Sequence, residues 1–190
     1  MSRFPGTRIT AGDTSTLKQA KELNCMATIS VSTIALATGE GETFWSFGAL
    51  TTIKAYGKIT GDRFAILEQV APQGAGSPLH VHHNEDEWFY VLEGELKFWS
   101  EGKVTVAPSR SFIFLPRDVP HTFMVSSDES RFLIGAEPAG FENFIRELST
   151  LPTLTLTPPP PASEPPDMEK IIATAARYGI EILGPPGILE

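Results

Sequence analysis

From residue 63 to residue 136, apolar and polar positions alternate in short runs that Gly, Pro, Asp or Asn punctuate. Side chains of a strand point alternately to its two faces, so runs of this kind predict half-buried strands. The predicted strands cover residues 63–71, 79–84, 87–92, 95–100, 103–107, 111–115, 121–125 and 131–136. Upstream, residues 43–56 combine aromatic and β-branched side chains, and residues 27–36 read as extended. Gly57 and Gly61-Asp62 set turns around residues 58–60. Gly94 closes a turn across which 87–92 is expected to pair with 95–100, and Glu101-Gly102 marks a second turn, because glycine takes positive φ at little cost. Many short strands at regular spacing predict a sandwich or barrel.

A helical period replaces the alternation in two places near the end. Phe141, Phe144, Ile145 and Leu148 fall on one face of a short helix within residues 139–149. The prolines of residues 157–166 require an extended connector. Beyond it, Asp167 can cap a helix over 168–178 that Gly179 stops, and residues 180–183 read as a last strand or an arm toward a partner subunit. Residues 14–24 have modest helical character. The expected organisation is an N-terminal extension (1–26), one barrel (27–138), a helix and strand packed on it (139–156), and a proline-rich connector with a terminal helix or arm (157–190).

Composition narrows the function. A net charge of −8, with fifteen Lys and Arg scattered singly, argues against nucleic acid as a partner. Cys25 is the single cysteine, so no internal disulfide is possible. Residues 25–37 have an apolar tendency and a small-residue Ala35-Leu-Ala37 end, like a signal peptide. Their four Ser and Thr and the acidic Glu22 just before them fit an edge strand better. No run approaches the roughly 20 apolar residues of a membrane span, so no membrane association is expected and a cytoplasmic location is.

Chemistry concentrates in the histidines. The chain has four, and three fall into one pattern: His80 and His82 alternate on a predicted strand, Glu87 heads the next apolar run, and His121 follows Pro116 and Pro120. Three imidazoles and a carboxylate make an N/O donor set for one divalent transition ion among Fe, Mn, Co, Ni, Cu and Zn. His83 points to the opposite face from His82 and is read as solvated. Glu85 and Asp86 are read as a solvated turn, and Arg117 fits either face. Residues alternating with the donors should line a cavity, which places Phe89, Val91 and Phe123 there. Phe114 joins them as a lining candidate although its strand phase is not fixed by the pattern.

From Gly74 to Gly94 the chain matches the first cupin motif, G(X)5HXH(X)3-4E(X)6G, at every defined position. The second motif, G(X)5PXG(X)2H(X)3N, is met at Pro116 and His121. Asp118 replaces its inner glycine, Val125 replaces its asparagine, and Ser109-Arg110 occupy the region of its opening glycine. Asp tolerates positive φ, so the turn at 118 can survive. The chain therefore resembles the cupins over roughly residues 45–140, which implies an all-β, single jelly-roll barrel. The complete ligand set, the Phe-rich helix Gly140-Phe-Glu-Asn-Phe-Ile-Arg-Glu-Leu and the proline-rich tail are also similar to the single-domain quercetinase-type cupins. That resemblance implies a homodimeric dioxygenase that uses O2 to open a flavonol or similar enolic aromatic, releasing carbon monoxide in the flavonol case. His80, His82 and His121 would hold the metal, with Glu87 both ligand and base. The alternatives are a metal-dependent isomerase, cyclase or lyase that uses no oxygen, and a non-catalytic small-molecule or metal-binding protein.

Overall fold

A strand that is apolar on one face must set that face against another layer, and the alternating runs do so in two sheets. The computed structural model describes residues 32–151, 157–160 and 166–188, all within one unit, Val31–Glu190. The strands are β1 (Glu42–Ser46), β2 (Ala49–Ala55), β3 (Ala65–Pro72), β4 (Pro78–His82), β5 (Asp86–Glu93) and β6 (Glu95–Ser100). Then come β7 (Lys103–Pro108), β8 (Phe112–Leu115), β9 (His121–Val125), β10 (Glu129–Glu137) and β11 (Ile180–Pro186). One sheet runs β1-β2-β3-β10-β5-β8 and the other β11-β4-β9-β6-β7, with antiparallel pairing throughout. The fold is the all-β jelly roll expected.

Three helices accompany the sheets among the described residues: α1 (Gly57–Thr60), α2 (Phe141–Leu148) and α3 (Met168–Arg177). Asp167 caps α3 by accepting from the Lys170 backbone N–H. The buried carboxylate of Glu142 accepts from the N–H groups of Gly57 (2.8 Å) and Gly140 (2.7 Å), tying the start of α2 to α1. The helical reading of 14–24 and most of the extended reading of 27–36 lie outside the described residues. Residues 32–36 form no strand.

One expectation changes, the pairing across Gly94, and two open readings are resolved. Residues 43–56 are two strands, because Phe47 (φ 49°) and Gly48 (φ 81°) make a two-residue hairpin turn. Strands β5 and β6 do not pair: Gly94 (φ 80°) is the corner at which the chain leaves one sheet for the other. A side chain there would run into the Glu129 carbonyl and the Ser127 and Ser130 hydroxyls, so the corner demands glycine on two counts. Of the two alternatives for residues 180–183, a last strand or an arm, the structure shows the strand. It pairs with β4, setting Ile180 opposite His82 and Ile182 opposite His80.

Between the sheets, Phe89 is fully buried and lies 4.9 Å from Phe98 and 5.0 Å from Phe123, centroid to centroid, with Phe132 completing the group. Removing a buried phenylalanine ring costs the transfer free energy of the side chain and that of the cavity left behind. Phe89→Ala should therefore lower stability by about 3–5 kcal/mol, read as a lower urea midpoint at unchanged slope.

Candidate metal centre

Alternation on β4 turns both His80 and His82 into the barrel, where they are 7% and 1% exposed. The register of β4 against β9 sets His121 opposite His80. Glu87 arrives from β5 in the facing sheet, 3% exposed. One donor atom from each of the four side chains lies within 4.8 Å of the others.

The outer nitrogens of the three rings fix which inner atoms face one another. Nδ1 of His80 contacts the Pro78 carbonyl at 2.8 Å and Nδ1 of His121 the Val119 carbonyl at 2.9 Å. Nδ1 of His82 contacts the Glu85 carboxylate at 2.8 Å. Carbonyls and carboxylates only accept, so each Nδ1 carries a proton and a neutral ring presents an Nε2 lone pair inward. His80 Nε2 nevertheless stands 3.0 Å from His82 Nε2, and His121 Nε2 stands 3.1 Å from Glu87 Oε2. Lone pairs at those distances need a cation between them, whether a proton or a metal ion.

Burial, reinforced by the neighbouring His121 and His82, pushes His80 down to about 3, so its ring is neutral and able to donate electrons at neutral pH. Burial also presses on His82, but the hydrogen bond to Glu85 and the charges of Glu87 and Glu85 outweigh it and leave that ring above its ordinary value. Burial would raise Glu87. The His121 contact and the electrostatic pull of the imidazoles, His82 foremost, more than offset it and hold the carboxylate below its usual range.

The turn before β5 departs from expectation. Glu85 is not solvated: it is 3% exposed and holds His82. Asp86 instead meets Arg117 through a two-pronged ion pair on the outside, which settles the face that Arg117 takes. His83 also lies outside, bonded to Asp118 (2.7 Å) and Glu181 (3.3 Å). Asp118 takes φ 63° in the turn leading to His121, and Arg110 takes φ 72° where the motif's opening glycine would stand. Val125 is core.

His80, His82 and Glu87 open onto a cavity of about 570 Å³. Of the four lining candidates, only Phe123 reaches it. Phe89 and Val91 point inward but are sealed in the core, Phe89 in contact with Phe123. Phe114 is 55% exposed, because pairing Glu87 with Leu115 puts Leu115 on the inner face and turns Phe114 out. The rest of the wall comes largely from segments outside the motifs: Phe141 and Ile145 of α2, Met168 of α3, and Ile180 and Ile182 of β11. Phe141 stands edge-on to the His82 ring at 5.4 Å. The alternation of Ile180 and Ile182 was the available signal for β11, whereas nothing in the spacing of Glu85 distinguished it from its acidic neighbours.

Because Glu85 orients His82, Glu85→Ala should weaken divalent-ion binding about 10–100-fold, with Glu85→Gln retaining part of the affinity. Equilibrium dialysis against Co or Ni, with thermal unfolding as a check on the fold, reads both.

Residues 66–134 match the family described as Cupin domain. Among curated proteins, the chain is 32% identical to quercetin 2,3-dioxygenase of Bacillus subtilis (strain 168) over 98 residues, which cover 52% of this chain and 29% of that protein. It is 29% identical to quercetin 2,3-dioxygenase of Aspergillus japonicus over 115 residues, covering 56% and 33%. The match thus spans no more than a third of the length of either relative. An RmlC-like cupin from Shewanella frigidimarina superposes with a TM-score of 0.50 at 17% identity, over 60% of this chain and 98% of that one, a likeness of fold. With the two-sheet barrel and the His-x-His spacing already in view, residues 66–134 are what ties this chain to the Cupin domain family.

Proposed function

We propose that the protein is a metal-dependent oxygenase acting on a flavonol or a related enolic aromatic. The observation that carries this reading is the convergence of four donors, three of them (His80, His82 and Glu87) on the wall of a largely apolar cavity, at a volume suited to a drug-sized molecule. The curated relatives named quercetin 2,3-dioxygenase support the choice of reaction.

The donor set fits a divalent first-row ion, since the inward lone pairs and the Glu87 carboxylate supply the N3O ligands such ions take. His80, His82, Glu87 and His121 would hold it. Once bound, the ion would supply Lewis acidity toward an enolic oxygen and coordination positions beyond those the protein fills.

The chain's own residues do the rest. Glu87, ionised at neutral pH, can take the proton of an enolic hydroxyl at one of its carboxylate oxygens. Phe123, Ile134 and Phe141 hold a flat ring against the donors and exclude water from them. Pro78, Val119 and Glu85 keep the imidazoles from turning as the substrate enters.

Protein reconstituted separately with Fe, Mn, Co, Ni and Cu should consume oxygen on addition of quercetin, with at least one ion active. His121→Ala should lose both ion and uptake. Glu87→Gln should keep part of the ion and lose kcat by a factor of about 10²–10⁴. Absence of uptake from protein shown to hold its ion would contradict the oxygenase reading and favour an oxygen-independent reaction of an enol or ketone.

A further inference from the structure

Besides the donors, the polar residues that line the cavity are Ser46, Gln69, Ser77, Asp167 and Lys170, and Gln69 is the one carboxamide among them. Strand β3 sends Ala65, Leu67, Gln69 and Ala71 inward, and Gln69 is the one polar side chain among them, 7% exposed. Its amide Nε2 donates to Thr51 Oγ1 at 2.9 Å, and that hydroxyl is in turn closely bonded to Ser46 Oγ. Thr51 is fully buried and Ser46 nearly so, so the hydroxyl pair behind Gln69 is fixed. Among the described residues nothing donates to the other end of the Gln69 carboxamide, which lines the cavity shared with the donors.

The amide oxygen is not sealed inside the protein, so on the cavity side a ligand hydroxyl can replace water as its donor. We infer that Gln69 is a specificity-determining residue that receives a second hydroxyl of a multi-ring phenolic substrate whose enolic end lies at His80, His82, Glu87 and His121. The inference rests on the proposed function for its substrate class and adds a required feature of that substrate. Strand register gives the span. Ala65 is level with Ala136 and so with Glu87, and Gln69 lies four residues further along β3. That separation is about 13 Å along the strand direction, shortened by the reach of the two side chains. It suits the long axis of a multi-ring planar molecule and exceeds that of a single ring. The hydroxyl suits the site because it can donate to the amide oxygen, and it can accept should the carboxamide turn over.

The test is anaerobic binding of quercetin and of 3-hydroxyflavone, which lacks the remote hydroxyls, to the metal-loaded protein, followed by ligand fluorescence or absorbance. The unsubstituted protein should bind quercetin about tenfold or more tightly than 3-hydroxyflavone. Gln69→Met, close in volume, should weaken quercetin alone and erase the difference. Gln69→Asn, which withdraws the amide by one methylene, should do the same and serves if the methionine variant does not fold. An unchanged ratio in a folded variant, equal weakening of both ligands, or no preference in the unsubstituted protein would overturn the role of Gln69. Oxygen uptake on the same samples separates the two readings. A lost preference without uptake in any sample contradicts the oxygenase and leaves Gln69 in its role, whereas failure to bind either flavonol contradicts both.

Discussion

Four ionisable side chains buried within 4.8 Å of one another are stable only if a positive charge sits among them. That requirement shapes the site. Each imidazole is tethered at Nδ1, so none can turn its N–H inward to relieve the crowding of lone pairs. Protons can relieve it one contact at a time, as the raised His82 and lowered Glu87 indicate. A divalent ion relieves all the contacts together, and Glu85 behind His82 adds a further negative charge to the same point.

The barrel supplies the rigidity that such crowding needs. Three donors sit on adjacent strands β4 and β9, and the fourth comes across the core from β5. On one side of β4 the ladder to β9 fixes His80 opposite His121. On the other, β11 returns from the far end of the chain and covers the strand edge with Ile180 and Ile182. One strand therefore carries two donors and is braced by sequence about a hundred residues away. The same return, with α2 and α3, closes much of the apolar wall that a flat substrate would touch.

Most of the barrel was legible because alternation is a local property: β6 and β9 have the boundaries that the pattern predicts. The four donors were legible for the same reason together with their spacing. What local patterns do not encode is which strands become neighbours. The Gly94 corner reads like a hairpin turn until β5 and β6 are seen to enter different sheets. Phe114 looks inward or outward equally well until Leu115 is paired with Glu87. Glu85 and Asp86 are adjacent acids with opposite fates, one sealed against His82 and the other paired with Arg117 outside. Only the bend of the chain between β4 and β5 separates them. Gln69 gave no signal, since a single polar residue in a strand acquires meaning only from the cavity it faces.

Whether the crowded tetrad holds a metal is read by X-ray absorption at the metal edge of the purified protein. One divalent ion per chain is expected, bound by nitrogen and oxygen at about 2.0–2.2 Å and showing the more distant scattering of imidazole rings. Protein that retains no ion in stoichiometric amount after metal loading, or an ion whose shell lacks imidazole, would contradict the metal site.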